Sequence, residues 1–135
     1  MKFITILSSA TVVTTVNAGC YTGGESFNDK ASAYDWANKL CYGYKYTKDG
    51  VEYTVGPKLA GTFGAESTVS GSKASCVDSN NQKLEFFIDH IQDGSRVLGG
   101  DECYDGLQKE ISCEHGGQSD YTNWSYKVDP NAGRC

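Results

Sequence analysis

The sequence predicts an α+β domain: an antiparallel β-sheet of about four to five strands with two packed α-helices, an α/β sandwich stapled by three disulfides. Three observations lead there. Six cysteines, Cys20, Cys41, Cys76, Cys103, Cys113 and Cys135, are spread along the chain. Two stretches place apolar residues at helical spacing. The segments around them alternate apolar and polar residues between turn signals.

The chain opens like an export signal. Met1-Lys2 gives a positive start, and Phe3 to Val16 is apolar or small and carries no charge. Val16-Asn17-Ala18 then offers the small residues a signal peptidase needs, so cleavage is expected after Ala18. The apolar stretch is too short to span a bilayer, and no later segment has the length or hydrophobicity of a membrane helix. The expectation is a signal peptide over 1–18, then one secreted, extracellular domain over 19–135. An even cysteine count in a small exported domain reads as three disulfides. No C-x-x-C pair points to zinc, and no metal or cofactor is expected. Spacing does not select among the fifteen pairings six cysteines allow. With 12 basic against 17 acidic residues the formal charge is −5. Such a chain repels phosphate backbones, which speaks against nucleic-acid binding through a basic face. Two prolines, no low-complexity linker and no internal repeat fit a single domain.

The first helix is expected over about 28–41. Phe27, Tyr34, Ala37, Leu40 and Cys41 form a stripe, Asn28 or Ser26 can cap it, and Asp29 suits the positive helix start. Asp49-Gly50 follows as a two-residue hairpin turn. It pairs Lys48 with Val51, Tyr46 with Tyr53 and Tyr44 with Val55. Tyr44, Tyr46, Tyr53 and Val55 then share one face, and Lys45, Thr47, Glu52 and Thr54 the other. The tyrosine row reads as the half of the sheet that packs on a helix, with a ligand platform as the alternative. From Gly56 to Ser75 the chain is polar and rich in Gly and Ser, with a short strand around 60–63. Ala74 to Val77 is a strand carrying Cys76, and Asp78-Ser79-Asn80-Asn81 is a turn. Leu84 to Ile91 is the most hydrophobic stretch after the leader. Leu84, Phe86, Ile88 and His90 alternate with Glu85, Phe87 and Asp89, which makes it a buried strand, with a helix as the lesser reading.

A second helix is expected from Asp101, as cap, to about Ser112, with Cys103, Leu107 and Ile111 in line; Gly106 weakens it, and Gly116-Gly117 stop it. Cys103 and Cys113 lie nearly three turns apart on this helix, too far to bond each other, so both must pin it to other elements. A last strand over about 121–128 turns Trp124, Tyr126 and Val128 to one side. Asp129-Pro130-Asn131 is expected to turn before Cys135.

Candidate chemistry is sparse. His90 and His115 are the only histidines, and with Glu85 and Arg96 they are the one set from which a small ribonuclease could draw its acid and base. His90 ending an apolar strand and His115 following a helix also read as structural residues. There is no G-x-S-x-G, phosphate-binding glycine loop, H-E-x-x-H or calcium loop, and no acid pair stands out as a glycosidase dyad. The expectation is therefore a protein that is not an enzyme. Gly116 to Trp124 mixes rings with short polar groups, as shallow sugar sites do. Asp120, Tyr121, Asn123 and Trp124 are the glycan-binding candidates; Trp124 reads more readily as core, and Tyr121 reads equally either way. Asn123-Trp124-Ser125 is also an N-glycosylation sequon.

Asp101-Glu102-Cys103-Tyr104-Asp105-Gly106-Leu107-Gln108-Lys109-Glu110-Ile111, then Cys113, Gly116-Gly117, Trp124, Asp129-Pro130-Asn131 and Cys135, resembles fungal small secreted cysteine-rich proteins. It is similar to the mushroom Y-three type of glycan-binding proteins and to related secreted proteins of plant-associated fungi. The resemblance covers mainly 84–135; the front half matches only through an early Cys and a first helix ending in Cys. It implies an α/β/α sandwich, homodimers and sugar recognition, and it assigns no numbered glycan contact. The partner it points to is a carbohydrate or a host extracellular protein. A killer-toxin-like effector acting on a protein or membrane, and a ribonuclease-like protein, are the alternatives.

Overall fold

The computed structural model describes residues 17–135. The expected leader lies outside the described residues up to Val16, while Asn17 and Ala18 belong to the first strand. The elements run β1 (Asn17–Cys20), α1 (Lys30–Tyr42), β2 (Tyr44–Lys48), β3 (Val51–Val55), β4 (Gly61–Phe63), β5 (Ser72–Ser79), β6 (Gln82–His90), β7 (Arg96–Leu98), α2 (Gly100–Ile111), β8 (Gly117–Asp120) and β9 (Trp124–Ala132). A five-stranded sheet in the order β1-β8-β9-β6-β5 forms the platform, antiparallel throughout. Two small ribbons, β2-β3 and β4-β7, stand apart from it. The α+β class with two helices and three disulfides is what the sequence predicts.

Strict alternation in β6 explains the layering. Leu84, Phe86, Ile88 and His90 are buried, and the residues between them are only half-buried. β9 pairs with β6 along its whole length and adds Trp124, Tyr126 and Val128 to the same core. Both helices cover that one face. α1 buries Ala33, Ala37, Leu40 and Cys41, while α2 buries Cys103, Leu107 and Ile111. The opposite face stays open to water and carries polar pairs such as Asn131 Nδ2 to Glu85 Oε1 at 2.7 Å. The result is two layers, one fewer than the α/β/α sandwich the resemblance implies.

Several boundaries differ from expectation for identifiable reasons. Asp29, not Asn28 or Ser26, caps α1, its carboxylate accepting from Ser32 N at 3.0 Å. Asn28 instead ties its backbone N–H to Gln82 Oε1. α1 ends at Gly43, whose φ of 81° and close approach to the Val55 carbonyl admit no side chain. Gly99 precedes α2, and Asp101 sits in its first turn, where a carboxylate favours the helix dipole. The segment expected as a turn, Asp129-Pro130-Asn131, continues β9 against Glu85, Leu84 and Lys83. β8 pairs no further than Val128, so Pro130 lies where β9 has no neighbour on that side and its missing N–H leaves no ladder bond unmade. Residues 121–123, expected within that strand, form the turn that joins β8 to β9.

All six cysteines are paired. Cys20 bonds Cys113, Cys41 bonds Cys103, and Cys76 bonds Cys135. Cys103 and Cys113 thus pin α2 to β1 and α1, as the helix geometry requires. The β2-β3 register matches expectation at every pair. Its environment does not: only Tyr44 and Val55 are half-buried, while Tyr46 and Tyr53 are each 44% exposed. The tyrosine row does not pack flat on a helix; it meets α1 only at its Tyr44 end, where Trp36 stands edge-on at 6.0 Å.

One buried acid stands out. Glu110 faces β8 from α2, 1% exposed, and its Oε2 has no hydrogen-bond partner. Burial raises its pKa, with the Ser119 hydroxyl and the Lys109 charge pulling the other way. A carboxyl raised in the folded state favours folding below its unfolded pKa, and that contribution is lost as pH rises through the folded value. Glu110→Gln should therefore gain stability relative to wild type as pH rises from 4 to 8, by about 1 kcal/mol, the usual penalty of an unsatisfied buried group. Thermal melts of both proteins across that range check it. A constant difference would show that the carboxyl titrates alike in the folded and unfolded chain and that burial does not penalise its charge.

Candidate functional site

α2 and the turn joining β8 to β9 enclose a cleft of about 260 Å³. Tight pairing of Asp120 with Ser125 closes the turn and projects Tyr121, Thr122 and Asn123 toward the helix. The turn backbone is anchored: Tyr121 N donates to Trp124 O at 2.8 Å, Ile91 N to Asn123 O at 2.9 Å, and Gln92 Nε2 to Thr122 O at 2.7 Å. Its side chains are thereby left to line the cleft. Facing them, α2 contributes Glu102, Asp105 and Lys109, three and four residues apart and so on one helix face.

Tyr121 is half-buried. Its ring meets Tyr126 edge-on at 5.9 Å, and Lys109 Nζ lies 5.3 Å from its centroid. Lys109 also pairs with Asp105 at 3.3 Å. Burial alone would lower the Lys109 pKa, but Asp105 and Tyr121 outweigh it and raise it, so the ammonium stays charged. Tyr126 forms the inner wall; its hydroxyl donates to the Glu102 carbonyl at 3.3 Å, and burial raises its pKa. Trp124 lies at the bottom, 2% exposed, with its indole N–H unpartnered and its ring against Phe63 at 4.9 Å and His90 at 5.0 Å. The core reading of Trp124 holds, and it serves the cleft as floor.

Three of the four sequence candidates, Tyr121, Asn123 and Trp124, therefore meet at one place. Asp120 does not line the cleft: strand alternation sends it to the sheet face that carries Ser125, opposite Tyr126. Sequence reasoning missed Glu102, Asp105 and Lys109, although the Asp105–Lys109 spacing is the signature of an exposed helix face. The hydroxyl of the sequon's Ser125 is buried and accepts from Gln118 Nε2 at 3.1 Å, while Asn123 sits at the cleft rim.

The ribonuclease candidates have separate surroundings. His90 Nδ1 contacts the Gly64 carbonyl at 2.8 Å inside the core. His115 lies by Ser26 and Glu114. Glu85 is on the opposite face of β6 from His90, and Arg96 is exposed on β7. Among the described residues no helix is long and apolar enough to cross a membrane. In comparisons with known proteins, no family matches this chain and no curated protein matches it.

Proposed function

We propose that this chain is a secreted, lectin-like protein of the fungal small cysteine-rich kind, and that the Tyr121 cleft holds a carbohydrate. The supporting observation is the meeting of a half-exposed Tyr121 ring and the Asn123 amide with the Glu102 and Asp105 carboxylates around one small cleft. The ring stacks on the C–H face of a sugar. The carboxylates accept from its hydroxyls, and the amide both donates and accepts. Lys109 holds Asp105 in place. Three disulfides fit an oxidising, extracellular setting, as the leader-like start does.

The test is a glycan array probed with oxidised protein over 19–135, made in a host that leaves Asn123 unmodified, since a glycan there would stand in the cleft. Saturable binding to one sugar family is expected. Tyr121→Ala, with its circular dichroism unchanged, should weaken that binding about tenfold or more, the usual worth of one stacked ring. Binding that Tyr121→Ala leaves intact would remove the cleft from the reading. A blank array with folded protein would favour an effector that targets a protein.

A further inference from the structure

We infer that the Tyr121 cleft selects a hexosamine whose nitrogen is a free ammonium, over the N-acetylated or neutral sugar of the same size. The inference rests on the proposal that this cleft takes a carbohydrate, and it names the class. The lining carries two carboxylates, Glu102 and Asp105, and one cation, Lys109. Their spacing sets all three along one face of α2. The cation is taken up by one of the acids: Lys109 Nζ pairs with Asp105 at 3.3 Å and lies 5.3 Å from the Tyr121 centroid. Gln108 Nε2 donates to the same carboxylate at 3.1 Å. Glu102, one turn nearer the helix start, has no cation within ion-pair distance among the described residues.

The inner wall feels that imbalance. Burial is the first influence raising the Tyr126 pKa, the Glu102 charge is the next, and Asp105 adds to it in the same direction. Both acids therefore act on the wall even with Lys109 beside Asp105, and a sugar acid would be repelled there. A neutral hydroxyl can donate to Glu102, but an ammonium does so through a charge-assisted bond roughly twice as strong. The rings favour the same choice, since the π faces of Tyr121 and Tyr126 attract cations, and the chain already sets its own Lys109 ammonium by Tyr121. N-acetylation removes the charge and brings a carbonyl oxygen, an acceptor, beside a carboxylate that can only accept. An amine without a sugar ring would meet the charge but leave the Tyr121 ring nothing to stack on and the Asn123 amide no hydroxyl to bind. The fitting ligand therefore carries its ammonium on a sugar.

The experiment is calorimetry on the oxidised protein over 19–135 at about pH 5.5, where both carboxylates are ionised. The probes are the β-1,4 glucosamine trisaccharide, its fully N-acetylated counterpart, cellotriose, and spermidine as an amine without a ring. The glucosamine trisaccharide should bind about tenfold more tightly than the other two sugars, the combined worth of a charge-assisted hydrogen bond and a ring contact. Glu102→Gln should erase that preference. Glu25→Gln, which removes the same charge from an exposed position outside the cleft, should keep it. Tyr121→Ala should weaken all three sugars. Equal affinity for the three, still lost in Tyr121→Ala, overturns the selectivity and leaves the sugar reading of the cleft standing. Binding of no sugar by folded protein overturns both. A preference that Glu102→Gln and Glu25→Gln lower alike overturns the inference, as does spermidine bound as tightly as the glucosamine trisaccharide, because either result is a general attraction of cations to a chain of net charge −5.

Discussion

Replacing Cys41 and Cys103 together by alanine should destabilise the domain by about 5 kcal/mol, at the top of the range for a single disulfide. The bridge spans 62 residues of sequence. Chain entropy alone assigns such a loop about 4 kcal/mol. The remainder comes from position: both residues are buried at the junction of α1 and α2, so removing the sulfurs also opens a void between the helices. The Cys76–Cys135 bridge is the natural control. Its separation of 59 is nearly the same, but both of its cysteines are exposed, at β5 and near Arg134. Its removal should cost about 4 kcal/mol, the entropic part alone. Guanidinium unfolding of the two double-alanine variants, with the other bridges verified intact, measures both. Equal losses would mean that the inner bridge adds nothing beyond shortening the unfolded chain. A domain of this size has only about 5–15 kcal/mol to lose, so the inner variant should keep at most about two-thirds of its stability.

Gly106→Ala should destabilise the protein by about 2 kcal/mol, although alanine is the better helix former. A Cβ at Gly106 would lie 2.3 Å from two carbons of the Tyr126 ring. That ring has little room to yield, being buried, held by its hydrogen bond to Glu102 and backed by Tyr121. The sign should reverse once the ring is gone: in a Tyr126→Ala background, Gly106→Ala should stabilise by about 0.5–1 kcal/mol through helix propensity. The four proteins form a double-mutant cycle read by denaturant melts. A near-neutral Gly106→Ala in the wild-type background would show that Tyr126 swings aside.

Gly106 also illustrates what the sequence conveys. Read along the chain it is only a weak point in a helix, because nothing local reveals that β9 presses a tyrosine against it. Signals of short range carry far better. Asp49-Gly50 specifies a turn whose flanking residues alternate in agreement, and the whole β2-β3 register follows. The alternation from Leu84 to His90 likewise names its buried face without help. Asp129-Pro130-Asn131 misleads for the converse reason: its composition is that of a turn, and only the neighbouring β6, some forty residues earlier, holds it extended. The cleft was half legible. Tyr121, Asn123 and Trp124 lie together in sequence and attract notice. Glu102, Asp105 and Lys109 are ordinary surface charges until the Cys20–Cys113 bridge and the β8–β9 turn bring α2 alongside them. The exposure of the tyrosine row was not legible, since an amphipathic ribbon has the same pattern whether or not something covers it.

The order in which the covalent frame can close follows from its spacing. Bridge partners lie 93, 62 and 59 residues apart. A chain emerging from its N-terminus carries Cys20, Cys41 and Cys76 as thiols without native partners until Cys103 arrives. Any oxidation before then can only join the wrong cysteines. Native protein must therefore arise by late closure or by reshuffling of mispaired sulfurs, and its yield is governed by thiol–disulfide exchange and not by the strength of the oxidant. Production of this protein is thus a problem of redox buffering and isomerase supply while the chain folds, with the speed of oxidation a secondary matter.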